Sequence, residues 1–208
     1  MDFLKIIEQV ASKIAPGFVP SFSEVHVLKA LETINSNGTV GRGRLSKKIG
    51  LGQGTTRTLT RHMGREGLIK VTKAGMNLSR LGVEVLSEII SRISKHQEIP
   101  ESSITVGPFN SAVLVTNVAD LVRYGVEQRD SAIKIGASGA TTLIFKKGRL
   151  IIPGEDENII KNIKSIKKLL SLLKPKEKDV IIIGSAESRD MAEYGAKAAA
   201  LELLKSEK

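Results

Sequence analysis

Apolar residues recur at helical spacing from the start of the chain, where Phe3, Leu4, Ile6, Ile7 and Val10 alternate with Lys5, Glu8 and Gln9. That pattern stops at Pro16-Gly17. A second helix is expected from about Ser23 to Ile34, with Val25, Leu28, Leu31 and Ile34 on one face and Asn35-Ser36-Asn37-Gly38 ending it. A short third helix spans about Arg44 to Ile49, and Gly50, Gly52 and Gly54 separate it from a fourth, which begins near Thr55 and stops at Gly67. Leu68 to Val71 reads as a strand, Lys73-Ala74-Gly75 as a turn and Met76 to Ser79 as the returning strand. A long helix follows from Arg80 to about Ser94, with Leu81, Val85, Leu86, Ile89, Ile90 and Ile93 on its apolar side.

Helix, helix, helix, hairpin and helix is the order of a winged helix-turn-helix. His96 to Ser103, with its charges, serines and Pro100, reads as a linker, after which the chain changes character. Thr105 to Thr116 is rich in β-branched residues, Val118 to Glu127 reads as a helix, and Thr141 to Phe145 as a strand. Lys146-Lys147-Gly148-Arg149 is a hairpin turn into Leu150-Ile151-Ile152, stopped by Pro153-Gly154. A basic amphipathic helix is expected over about Asp156 to Leu173, a buried strand over Val180 to Ile183, and a closing helix over about Ser188 to Leu204. The working division is residues 1–98 and 102–208.

Charge sharpens this picture. The chain of 208 residues carries a formal net charge of +10, and 41% of it is apolar, ordinary for a globular protein. Residues 1–100 hold 15 Lys and Arg against 8 Asp and Glu, whereas residues 101–208 hold 17 against 14. Between Arg42 and Arg80 there are ten cations and one acid, Glu66. A focused positive field of this kind points to a polyanionic partner. No run approaches the roughly 18 to 20 apolar residues that span a bilayer, and the opening Met1-Asp2-Phe3-Leu4-Lys5 lacks the basic n-region of a signal peptide. No cysteine is present, which excludes disulfides, thiolate metal sites and thiol catalysis. A cytoplasmic location and no membrane contact are expected.

The richest stretch runs from Thr55 to Ile69. Leu59 and Met63 are four apart and belong to the core, while Arg57, Arg61 and Arg65, also four apart, form an outward stripe. A helix in the major groove reads guanine edges with Arg, and flanking Lys or Arg hold phosphates. Hydroxyls at the helix start add phosphate contacts beside exposed amides. The pattern Glu66-Gly67-Leu68-Ile69, followed by a hairpin and Leu78-Ser79-Arg80-Leu81-Gly82, resembles prokaryotic winged-helix transcription regulators over about residues 22–95. The resemblance implies that Thr55, Thr56, Arg57, Thr60, Arg61 and Arg65 face the groove and that Lys70, Lys73 and Arg80 touch the backbone from the wing. Arg44 and Lys47 join this set from the preceding basic helix. Gly64, inside the helix, departs from the usual helix former at about 1 kcal/mol against Ala. Single-strand RNA readers stack bases on aromatic side chains, and the N-terminal half offers only Phe3, Phe18 and Phe22, none near the basic stripe.

Residues 135–142, Ile-Gly-Ala-Ser-Gly-Ala-Thr-Thr, invite a phosphate-loop reading but lack the Gly-Lys-Ser/Thr ending and precede a strand. Two readings stay open: small residues for a tight connection, or an anion or effector site built on Gly136, Ser138, Gly139 and Thr141. Residues 184–190, between a strand and a helix, offer either an anion site that includes Ser185 or an N-cap at Ser185 or Ser188. Lys161, Lys164, Lys167 and Lys168 give the basic helix a solvated face or an auxiliary nucleic-acid contact. His26, His62 and His96 all lie in the first half without paired ligand spacing, so no metal site, cofactor site or catalytic constellation is expected.

The whole layout is also similar to a group of archaeal proteins that join a winged helix to a small α/β domain. Residues 136–142 and the run from Lys147 to Gly154 carry that similarity. It implies an α+β protein whose second half is a two-layer α/β sandwich, with helices on one face of a mainly antiparallel sheet. The expected function is sequence-specific duplex DNA binding by a non-enzymatic homodimeric regulator, with a C-terminal half that senses a small molecule or mediates assembly. The alternative is an RNA- or translation-associated module that uses the basic C-terminal helix.

Overall fold

Helix α1 (Phe3–Ala11) begins at Asp2, whose carboxylate accepts the Lys5 amide at 3.2 Å, and it buries Leu4, Ile7 and Val10 on one side. It ends where the Ser12 hydroxyl donates to the Gln9 carbonyl at 2.8 Å. The computed structural model describes residues 2–12, 21–155 and 164–207, so the expected stop at Pro16-Gly17 lies outside the described residues. Two compact units emerge, Met1–Ile89 and Ile90–Lys208.

In the first unit, α2 (Glu24–Asn37) runs three residues beyond the expected Ile34. The turn-forming residues are absorbed into the last helical turn, where Asn37 Nδ2 and the Ser36 hydroxyl both donate to the Thr33 carbonyl. At its start the Ser23 amide donates to His26 Nδ1 at 3.1 Å, half of a capping box with histidine in the usual place of Glu or Gln. Nδ1 accepts that bond only while unprotonated, and burial pushes the His26 pKa down from its ordinary 6.5. The unfolded chain therefore takes up the proton first as pH falls, so stability is complete above the unfolded value and is lost as pH drops below it. The thermal midpoint should fall on acidification from about pH 7.5 to about 5.5, and His26→Gln, which keeps the acceptor, should flatten that dependence. Equal slopes for both proteins in thermal scans across this range would remove His26 from the cause.

Two helices follow, α3 (Arg42–Lys48) and α4 (Gln53–Arg65), each starting two residues earlier than the expected boundary. The turn between them is held by Ser46, whose hydroxyl donates to the Leu51 carbonyl at 2.6 Å while its own carbonyl accepts the Leu51 amide. Strands β1 (Ile69–Thr72) and β2 (Gly75–Leu78) pair antiparallel, Ile69 opposite Leu78 and Thr72 opposite Gly75. Val40 adds two backbone bonds to Met76 at 2.9 Å, and Thr39 Oγ1 donates to Asn77 Oδ1 at 2.8 Å, so the hairpin is anchored from a third segment. Helix α5 (Arg80–Arg92) then buries Gly82, Val85, Leu86 and Ile89. Gly82 in the Leu-x-x-x-Gly pattern has a steric cause: a Cβ there would lie 2.1 Å from the Leu68 carbonyl oxygen. Ile90, expected on the apolar side, is 55% exposed, because it lies at the edge of the buried stripe, about a quarter-turn from its centre.

In the second unit, five strands form one sheet in the order β3-β4-β7-β5-β6, with every pairing antiparallel. They are β3 (Gln97–Ile99), β4 (Phe109–Val115), β5 (Gly139–Lys146), β6 (Arg149–Ile151) and β7 (Val180–Ala186). β4 and β5 both oppose β7, so they run parallel to each other with the last strand inserted between them. Residues 147 and 148, with φ of 51° and 75°, make the two-residue β5–β6 turn that suits hairpin twist, and glycine fits its second position. The linker reading of residues 96–103 is corrected, since Gln97–Ile99 is an edge strand on β4. The helix expected over 118–127 is also corrected. Only Ala119–Leu121 turns there, and α6 occupies Val126–Lys134 after Gly125.

Every residue of β7 is buried. Alternation along the strand sends Ile181 and Ile183 towards Ile166 and Leu169 of α7 (Lys164–Leu173), while Gly184 meets α8 (Arg189–Lys205) on the other side. A strand covered on both faces reads as a continuous apolar run, which Val180 to Ile183 is. The α+β class and the antiparallel sheet with helices stand as expected. α7 adds cover on the face opposite α8, beyond the helices expected on one face. The beginning of the expected basic helix, residues 156–163, lies outside the described residues.

Candidate nucleic-acid interface

Helix α4 is fixed from one side and open on the other. Leu59 and Met63 are fully buried, and His62, 3% exposed, places Nδ1 2.9 Å from the Val10 carbonyl of α1. That contact makes Nδ1–H the donor, and the Phe22 ring packs edge-on against the imidazole with centroids 5.6 Å apart. His62 is thus the bolt that locks α4 to α1, a role its position in a polar helix did not advertise. On the opposite side Arg57, Arg61 and Arg65 are all exposed, as successive i, i+4 neighbours on one helical face.

Two threonines leave the expected groove-facing set. Thr56 is fully buried and its hydroxyl donates to the Gly52 carbonyl at 3.0 Å; Thr60 is 8% exposed and its hydroxyl donates to the Arg57 carbonyl at 3.1 Å. Residues 56, 59, 60 and 63 form one buried stripe, so both threonines share the face of Leu59 and Met63. Thr55 is half-buried in the first turn, beside the exposed Gln53 and Gly54.

Arg44, Lys47, Lys70 and Lys73 are exposed around α4, and Arg42 and Lys48 of α3 belong with them by exposure and charge. Arg44 donates to Asn37 Oδ1 at 2.7 Å, which orients its guanidinium. Arg80 is exposed but engaged with Glu84 at 2.9 Å on α5, so a phosphate would compete with that carboxylate. Gly64 lies on the exposed side of α4, and a Cβ there meets nothing within 4 Å. Gly64→Ala should therefore raise stability by about 0.5–1 kcal/mol, read from the denaturation midpoint. A lowered midpoint would show that the last turn of α4 needs glycine.

In the second unit the expected ligand residues are brought together at one end of the sheet, but turned to structural use. Gly136, with φ of 99°, closes α6: its amide bonds the Ile133 carbonyl and the Ala137 amide bonds that of Ala132. The exposed Ser138 gives its amide to the Ser185 carbonyl at 2.8 Å, and Gly139 pairs with Ser185 in the sheet. Thr141 Oγ1 donates to the Ile104 carbonyl at 2.7 Å. Ser185, fully buried, donates to Asn110 Oδ1 at 2.6 Å and accepts the Val106 amide at 3.2 Å. The amides of Gly136 and Ser138 and the hydroxyls of Thr141 and Ser185 are engaged within the chain, which favours the tight connection over the anion site. Of the two serines expected as the helix cap, Ser188 takes the position, and its hydroxyl accepts the Met191 amide at 3.3 Å. Lys167 and Lys168 are exposed, whereas Lys161 and the Lys164 side chain lie outside the described residues.

A helix-turn-helix with a basic, outward-facing second helix and an anchored hairpin defines the class of a DNA-binding domain. Residues 26–93 match the family described as the CggR N-terminal DNA binding domain. Residues 106–203 match a second family, described as a domain of unknown function (DUF4443). The fold is similar to that of the hypothetical protein PH0730 from Pyrococcus horikoshii OT3, with a TM-score of 0.63 and 24% identity, covering 86% of this chain and 98% of that one. No curated protein matches the chain. Among the described residues no helix is long and apolar enough to cross a membrane.

Proposed function

We propose that the chain is a transcription regulator that binds duplex DNA with α4 in the major groove. The observation that carries this reading is the division of α4 into two faces: Leu59, His62 and Met63 hold it rigidly while Arg57, Arg61 and Arg65 stand exposed. Rigid placement matters because base reading needs side chains aimed from a fixed element. Lys70 and Lys73 on the hairpin, with Arg44 and Lys47 beside α4, supply the phosphate contacts that set register. The match of residues 26–93 to a DNA-binding family supports DNA as the partner.

Arg61→Ala should weaken specific binding by about 1–3 kcal/mol and relax the base preference at one position, whereas Lys73→Ala should weaken all sequences alike and lower the salt slope by about 1. Fluorescence anisotropy on specific and random duplexes separates the two effects. Unchanged affinity and preference in Arg61→Ala, and again in Arg57→Ala, would take α4 out of the groove.

In the same reading two copies bind paired half-sites. Val83 and Ile90, 46% and 55% exposed and seven residues apart on α5, give a self-complementary apolar face for such a homodimer. The C-terminal unit then senses a small molecule or joins the copies, and the protein works in the cytoplasm.

A further inference from the structure

The C-terminal unit contains a cleft of about 350 Å³, where the β3–β4 edge of the sheet meets the first turns of α8. Glu98 and Ser111 are directly opposed across β3 and β4, so both side chains project to one face, and Phe109 shares it two residues along. α8 brings Arg189, Asp190 and Glu193 to the same cleft, and His96 completes its wall. Neither of the sites expected from sequence includes these residues.

Three observations mark the cleft as a binding site. The Ser111 side chain is 2% exposed and its hydroxyl has no hydrogen-bond partner, an arrangement folds rarely tolerate without a use. The Glu193 side chain, only 6% exposed, lies 2.7 Å from the Lys197 ammonium and 3.4 Å from His96 Nδ1. At the mouth, Arg189 lies 3.4 Å from Glu98 and sits over the Phe109 ring at 6.0 Å. That pairing is exposed and exchangeable, since a competing cation can take both the carboxylate and the aromatic face.

The charge of the lining selects the ligand. Of the three acids that line it, Glu98 faces Arg189 and Glu193 faces Lys197, so the Asp190 carboxylate tips the balance to negative, in a chain whose net charge is +10. An anionic nucleotide or phosphate is disfavoured there. The carboxylates are also not grouped for a metal ion: among the described residues no three His, Asp or Glu side chains come together as ligands. We propose that the cleft binds a small organic cation carrying a primary ammonium group. The ammonium sits between the Glu98 and Asp190 carboxylates, displacing Arg189 from Glu98, and a second polar group of the ligand takes the Ser111 hydroxyl. The ammonium is common to aliphatic diamines and free amino acids; in an amino acid the carboxylate would pair with the displaced Arg189. This proposal deepens the sensing role given above to the C-terminal unit, and it is tested without DNA so that its failure leaves the DNA-binding reading untouched.

Isothermal titration calorimetry on the full chain, with putrescine, spermidine, a panel of free amino acids and ATP, tests it. Saturable binding of at least one amine and none of ATP is expected, with Glu98→Gln and Ser111→Ala each weakening that amine by about tenfold or more. Binding of the diamines alone assigns an aliphatic amine, and binding of one amino acid, weakened further by Arg189→Met, assigns a zwitterion. Ser111→Ala should keep or raise the thermal midpoint, because it deletes a hydroxyl without a partner; a merely structural serine would lower it. Glu98 is exposed at the edge, so Glu98→Gln keeps the proposal testable whatever Ser111→Ala does. No heat with any amine up to about 10 mM, or amine affinity unchanged in Glu98→Gln, overturns the proposal.

Discussion

Lys197→Met is expected to destabilise the C-terminal unit by about 3–5 kcal/mol, seen as a fall in the urea midpoint at unchanged slope. The Lys197 and Glu193 side chains are 3% and 6% exposed and 2.7 Å apart, one helical turn apart on α8. Removing the ammonium leaves the carboxylate buried, and its desolvation is no longer offset by the nearby opposite charge. The double variant Glu193→Leu/Lys197→Met should recover most of the loss, because a buried ion pair is often no more stable than apolar side chains of similar volume. A single variant as stable as the parent would mean that water reaches the pair.

Gly184→Ala is the second large effect, expected at about 3 kcal/mol or more, the upper part of the overpacking range. Gly184 lies on the central strand, opposite Ser111 on one side and Ala140 on the other. A Cβ built there falls 2.3 Å from both the Ala192 carbonyl oxygen and the Ala196 amide nitrogen, backbone atoms of a helix that cannot swing aside as a side chain would. The close approach continues through α8, where a Cβ on Gly195 would meet the Ala137 methyl at 2.8 Å. The added methyl must lift α8 off β7 or bend the strand, and either opens the unit's core. The contrast with Gly64→Ala is a control within one chain: the same methyl is expected to stabilise where it meets open space. Measured by urea denaturation, equal small effects at both positions would contradict the close packing of α8 on β7.

The N-terminal unit was readable because its signals are local. Gly67 stops α4, Glu66 to Ile69 leads into the hairpin, and ten cations against one acid concentrate between Arg42 and Arg80. Thr56 and Thr60 were misassigned because threonine tolerates burial when its hydroxyl bonds a carbonyl one turn back, which a polar label conceals. β3 escaped because Gln97-Glu98-Ile99 is a three-residue edge strand with one buried side chain, and charge at an edge looks like a linker. α6 escaped because Val126–Lys134 buries only Gln128 and Ala132 and so carries almost no apolar period. The glycines of residues 136–142 suggested phosphate chemistry, while Gly136 ends α6 and Gly139 leaves room for the Val106 side chain. The acidic cleft could not be read at all: His96, Glu98 and Ser111 are about 80 to 100 residues from Arg189 and Glu193 and meet only through the sheet register.

The most direct test of the account is the affinity of the full chain for the DNA upstream of its own gene, titrated with salt beside random duplex and structured RNA. Sequence-specific binding through α4 predicts a preference for that duplex of about 10³ or more, with a steep fall of affinity as salt rises. Equal, weak binding to all three polyanions would contradict it and reduce the Arg57–Arg61–Arg65 stripe to generic charge.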